Sequence, residues 1–212
     1  IIALTEDHCS HPPDWCTRIV DHFAKRPDLV LLGGAVANGS TGRIEDRMNY
    51  WMTFATFAPG QVTARKPCIA QVAIRAAAVK SPPRPGEFEN QLIPQWSAMP
   101  GATVIDPGLC VRHDQSHGFW TTFAVHFHNG RAAGGFSPRT ADQKADVLRA
   151  LKWTWRDARD HLCATCEAFA AGTYSRSVMC KTLLVAPLLL AHALGTFVGY
   201  RHGPGRSPHH LA

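Results

Sequence analysis

Ile1-Ile2-Ala3-Leu4-Thr5-Glu6-Asp7-His8 is the stretch on which the fold turns. Its first five residues read as a buried strand, and three groups able to hold a metal or move a proton follow at once. Open α/β sheets present their sites in this way, at the carboxyl ends of strands. Extended geometry carried past Thr5 would put Glu6 and His8 on one face and Asp7 on the other. The competing account is a surface turn whose polar side chains simply meet water. No initiator Met, signal peptide or helix precedes the strand, so the expectation is a chain entered in mid-fold, with an N-terminal part cut away.

Working outward, Pro12-Pro13 can open a helix whose apolar stripe is Trp15, Ile19 and Phe23, ended by Pro27. Residues 29–32 form a short buried strand that should stop at Gly33-Gly34. Strand, helix and strand in that order predict a parallel crossover. A second helix carries Ile44, Met48, Trp51, Met52 and Ala55. Residues 69–74 are a strand candidate, and 81–86, with three prolines, must be loop. Glu87, Glu89 and Asn90 then start a helix bearing Leu92, Ile93 and Trp96, where acidic groups suit the exposed N–H groups. A strand at 103–105 is turned by Pro107-Gly108 and followed by Cys110-Val111-Arg112-His113-Asp114. The fold class is α/β.

The remainder is different in kind. A half-polar aromatic helix at 119–128 runs into Asn129-Gly130-Arg131, and Gly134-Gly135 and Pro138 mark a break. Residues 142–171 are helical in pattern, with Val147, Leu151, Trp155 and Leu162 on a basic, Trp-bearing face of the kind that lies at a lipid interface. From 182 to 200 no Asp, Glu, Lys or Arg occurs, and Lys181 and Arg201 bracket these nineteen residues. That length suits a spanning or re-entrant segment, although His192 and Pro187 lie inside it. The expected organisation is a domain at 1–135 and a membrane-associated helical region at 136–212.

At 212 residues, with 45% hydrophobic residues, the chain can bury a real core. Its net charge of +6 suits an anionic membrane face or a phosphorylated substrate, but its arginines are scattered singly, which argues against nucleic acid. Seven cysteines make no secreted disulfide framework, and Cys163-Ala-Thr-Cys166 reads as packed helix cysteines. Cys9, His11 and Cys16 match no closed zinc spacing. Asn38-Gly39-Ser40 fits a turn as well as a glycosylation acceptor. His126, His128 and Arg131 either meet a phosphate or face water, and His113 beside Asp114 is either a ligand or a surface pair.

The order of Glu6-Asp7-His8, Pro12-Pro13-Asp14-Trp15, Gly33-Gly34, residues 69–75, Glu87-Phe88-Glu89-Asn90-Gln91-Leu92, Val111-Arg112-His113 and His128-Asn129-Gly130-Arg131 resembles the later half of a family 2 glycosyltransferase of the GT-A fold. The resemblance covers about residues 1–135 and implies a partial GT-A domain without its nucleotide-binding N-terminal half, followed by C-terminal helices. It further implies a donor that is a nucleotide-diphospho-sugar, a hydroxyl acceptor, and a Mn²⁺ or Mg²⁺ cofactor. His8, Glu6 and His113 would be the metal ligands, and Glu6, Asp7, Gln71 and Arg131 would bind substrate. Gln71 would line the acceptor side and Arg131 would meet the leaving diphosphate. The catalytic base would be Glu89, with Glu87 as the alternative, because Asn90 stands where the family has an acid. The parent protein would work at the cytoplasmic side of a membrane, with the fragment alone inactive. Two other classes remain: a non-catalytic membrane-associated scaffold or decayed transferase module, and a metal hydrolase built on Glu6, His8 and His113.

Overall fold

A computed structural model describes residues 1–60, 62–79, 89–136, 142–143, 146–171 and 178–210. The strands are β1 (Ile2–Thr5), β2 (Cys9–Ser10), β3 (Leu29–Asn38), β4 (Gln71–Ile74) and β5 (Ala102–His113). The α-helices are α1 (Trp15–Lys25), α2 (Ile44–Phe54), α3 (Glu89–Ser97), α4 (Phe119–Phe136), α5 (Val147–Ala171) and α6 (Val178–His202). The chain divides into two compact units, one of residues 1–41 and 56–115, the other of 42–55 and 116–212. The expected boundary at 135 therefore differs from the observed one. Both α2 and α4 belong with the C-terminal helices.

The first unit is a mixed five-stranded sheet in the order β1-β4-β3-β5-β2. β4 is antiparallel to both β1 and β3, so β1 and β3 share a direction with β4 between them. The crossover through α1 is thus parallel, as its sequence pattern predicts, but its strands are not neighbours. β1 is an edge strand, and Ile1 and Ile2 are exposed rather than buried.

Successive residues of β4 point to opposite faces, and all four are buried. On one face Val72 and Ile74 meet Leu92, Ile93 and Trp96 of α3. On the other, Gln71 meets Trp15 of α1. The stripe Trp15, Ile19 and Phe23 is buried as predicted, each side chain contributing about 2 kcal/mol of transfer free energy.

Two expected strand ends do not occur. β3 continues through Gly33-Gly34 to Asn38, because these glycines mark a close approach and not a stop. A Cβ on Gly33 would overlap Pro67, and one on Gly34 would overlap the Leu109 carbonyl and the Gln71 amide. β5 likewise continues past Pro107-Gly108. Gly34 pairs with Asp106 and Ala35 with Cys110, so Pro107, Gly108 and Leu109 loop out as a bulge while the parallel ladder resumes. Helix α1 holds this bulge: Arg18 donates to the Gly108 carbonyl at 2.6 Å, and His22 Nε2 lies 2.9 Å from Asp106 Oδ2. Burial pushes the Asp106 carboxyl up, but the Gly108 N–H, His22 and Arg18 outweigh it and hold it below its ordinary value.

In the second unit, α4 runs unbroken through Gly130 and Gly134-Gly135 to Phe136. Gly130 and Gly134 abut the backbone of α6 at His192 and Thr196, while Gly195 and Gly199 of α6 abut α4 at Phe127 and Arg131. Each helix thus brings two glycines four residues apart against the other's backbone. Met48 and Met52 of α2 pack on Val185 and Leu188 of α6. Helix α6 turns its small and polar residues inward: Gly195 and Gly199 abut α4, and His192 and Thr196 are buried. Leu183, Leu190 and Leu194 are 66%, 62% and 55% exposed. The stripe Leu148, Leu151 and Trp155 of α5 is exposed too.

Candidate metal centre

The polar residues after β1 do not extend the strand. They make a turn closed by Cys9 N–H donating to the Glu6 carbonyl at 3.1 Å. The two-residue β2 then pairs Cys9 with His113 and Ser10 with Arg112. Asp114 N–H donates to the His8 carbonyl at 2.9 Å. This short ladder carries His8 to His113 across 105 residues of sequence.

Three donor atoms converge there. His113 Nε2 lies 2.8 Å from Glu6 Oε2 and 2.8 Å from His8 Nε2, and His8 Nε2 lies 3.0 Å from Glu6 Oε2. His113 is buried, and Glu6 and His8 are about a quarter exposed at 23% and 28%, so one side of the triangle is open. Two imidazole nitrogens this close share at most one proton, so at least one presents a lone pair to the centre.

A divalent ion with octahedral bonds of 2.0–2.1 Å holds adjacent donors about 2.9 Å apart. A tetrahedral ion would need about 3.4 Å. The triangle's edges are hydrogen-bond lengths that the face of an octahedral site would also fit. The triangle is also the two-imidazole, one-carboxylate set that leaves the opposite positions free. Asp7, the residue expected on the other face, is exposed and places Oδ1 2.8 Å from His8 Nδ1. The His8 hydrogen bond holds the Asp7 carboxyl below its ordinary value. A carboxylate on the outer nitrogen fixes the tautomer that leaves Nε2 free for a metal.

The other expected site residues fall elsewhere. Gln71 is 1% exposed, donates to the Ala35 and Leu109 carbonyls at 2.7 and 2.6 Å, and accepts from Trp15 Nε1 at 2.8 Å. It is a core clamp, and the expectation that it lines an acceptor site is corrected accordingly. Arg131 lies in the helical unit, where its Nε donates to the Gly203 carbonyl at 3.3 Å. Nor do its neighbours form a phosphate cradle with it: His126 bonds Asn49, and His128 bonds Ser207 and stacks on His210. Glu87 lies outside the described residues, as does the side chain of Glu89, whose backbone begins α3. His11 bonds Thr5 and packs on Trp15. The Asn38-Gly39-Ser40 segment is a turn, with Ser40 N–H donating to Asn38 Oδ1 at 3.0 Å.

Missed by the sequence reading is a second cluster, Asp157, His161 and His192, in the helical unit. Its signal was the spacing of four between Asp157 and His161 together with a lone His in an otherwise uncharged helix.

Burial, with the Glu6 carboxylate adding to it, pushes the Cys9 thiol up to about 11 and that of Cys68 to about 12. Cys16 and Cys163 are exposed. Among the described cysteines, limited alkylation by iodoacetamide is therefore expected to mark Cys16 and Cys163 first and Cys9 and Cys68 last, as read by peptide mass spectrometry. Equal rates at Cys16 and Cys68 would contradict this placement.

Comparison of the chain with protein-family models, with curated proteins and with solved structures finds no match.

Proposed function

We propose that this chain carries the metal and donor-diphosphate centre of a membrane-associated glycosyltransferase of the family 2, GT-A type. The observation that carries the proposal is the convergence of Glu6, His8 and His113 at the carboxyl end of β1 in a mixed sheet. Glu6 and His8 come from the place where the resemblance puts the metal motif, and His113 from its further ligand.

Bound there, Mn²⁺ or Mg²⁺ would stabilise charge on the departing nucleoside diphosphate. The chain's own part would be to hold the ion through Glu6, His8 and His113 while the diphosphate binds beside it. A carboxylate, Glu89 or Glu87, would take the proton of the acceptor hydroxyl. The membrane association rests on α6, of which residues Leu183–His202 are long and apolar enough to cross a bilayer. Along it Gly195, Gly199, His192 and Thr196 face inward together with Val185, Leu188 and Tyr200, while Leu183, Leu190 and Leu194 face outward. The cytoplasmic side follows only from the resemblance.

The test is isothermal titration of the full chain with Mn²⁺, then with a nucleoside diphosphate. Mn²⁺ is expected to bind at a Glu6-dependent site. The diphosphate is expected to bind only when the metal is present, and His8→Ala is expected to remove both signals. Diphosphate binding that ignores both metal and His8 would refute the assignment.

A metal hydrolase is the second assignment, favoured by the same three-ligand cluster. It predicts metal-dependent phosphoester cleavage without an acceptor. Transfer of a labelled sugar to an added hydroxyl acceptor, by a protein that includes this chain, excludes it.

A further inference from the structure

We propose that Asp157, His161 and His192 form a second divalent-metal site, built into the helical unit and independent of the Glu6 centre. Its imidazole and carboxylate donors suit Zn²⁺ or a similar ion. It would clip α5 to α6.

Asp157 and His161 are four residues apart and so share one face of α5. His192 reaches them from α6, with Nε2 3.2 Å from Asp157 Oδ2. The His161 and His192 rings meet edge-on at 4.6 Å between centroids. One donor atom from each of the three residues lies within 4.8 Å of the others. Small side-chain rotations bring such atoms to the about 3.4 Å that a tetrahedral ion with 2.0–2.1 Å bonds requires.

Three further observations favour a metal over a plain His–Asp pair. First, a pair needs only one imidazole, yet two face the carboxylate. Among the described residues, the ring nitrogens of half-buried His161 make no hydrogen bond. Second, Thr196, one turn beyond His192, donates its hydroxyl to Asp157 Oδ2 at 3.1 Å. That is how outer partners orient a ligating carboxylate. A small cavity lies against His161, lined by Met52, Thr165, Val185 and Leu189. Third, His192 is buried in a segment that carries no other ionisable side chain between Lys181 and Tyr200. Ionisable groups in such a helix are costly and mark a working position.

The Glu6 centre has to be silenced to test this. The full chain carrying His8→Ala and His113→Ala is titrated with Co²⁺ alone, and then with Zn²⁺. One equivalent of Co²⁺ is expected, with the visible absorption of a four-coordinate nitrogen-and-oxygen site that Zn²⁺ bleaches. His161→Gln or Asp157→Asn in that background is expected to abolish the band while circular dichroism still shows a helical protein. Thr196→Val is expected to weaken binding about tenfold. The double variant, if it is folded and binds neither Co²⁺ nor Zn²⁺ stoichiometrically, overturns the proposal. So does undiminished binding in a folded His161→Gln or Asp157→Asn protein. Neither result touches the Glu6 centre, whose own titration uses the unsubstituted chain.

Discussion

Gly195→Val is expected to cost the helical unit about 3 kcal/mol or more, the upper range for overpacking a close contact. The valine Cβ would overlap the Phe127 carbonyl and crowd the Arg131 N–H of α4. Neither is the tip of a side chain that can swing aside. The helices must separate instead, and separation also loosens Gly130 and Gly134 against His192 and Thr196, and Gly199 against Arg131. Close backbone approach through small residues four apart drives helix association where water is absent. The loss should therefore persist in detergent, where ordinary apolar burial counts for little. Gly42→Ala supplies the control. No atom lies within 4 Å of its added Cβ, so its effect should be within about 0.5 kcal/mol. Chemical unfolding followed by circular dichroism measures both. Equal effects from the two substitutions would mean that α4 and α6 do not meet through these glycines.

The same glycines show where local sequence fails as a guide. Gly134-Gly135 and Gly33-Gly34 both read as stops, since glycine weakens helices and strands taken alone. In the folded chain each permits an approach to a partner far away in sequence: Leu109 for Gly34, His192 and Thr196 for the α4 glycines. Propensity is local and such approaches are tertiary, so the reading inverted their meaning. Pro107-Gly108 went the same way, because a bulge keeps its ladder only if the partner strand is there to resume it. What was legible rested on periodicity or on the polar end of a strand. Trp15, Ile19 and Phe23 were plain from their spacing, and Glu6 with His8 from their position after Thr5. Joining His113 to them required a resemblance, because no local pattern reports a contact made by the two-residue strand β2. Asp157 and His161 shared a helix face in plain sight, but without His192 they looked like any charged helical surface.

Gln71→Leu is expected to remove about 3–5 kcal/mol from the sheet unit, a large share of an ordinary domain's stability. The substitution keeps the volume but strands the Ala35 and Leu109 carbonyls and the Trp15 indole N–H, each of which now bonds this one amide. Buried polar groups left without partners cost about 1–3 kcal/mol each. Trp15→Phe, which strands only the Gln71 Oε1, should cost about a third as much. Gln71 also ties together the two segments that carry the candidate metal centre. In register it faces Thr5, the residue before Glu6, while its own Nε2 pins Leu109 four residues before His113. If the Glu6 centre binds Mn²⁺ as proposed, loosening Gln71 should therefore weaken that binding in the protein that remains folded, with no contact to the ion. A Gln71 that lined an acceptor site would behave differently. Its loss would raise the acceptor's KM and leave both urea stability and metal affinity where they were. Urea unfolding and Mn²⁺ titration of the same Gln71→Leu preparation separate the two roles, and the buried triple hydrogen bond predicts that both quantities fall together.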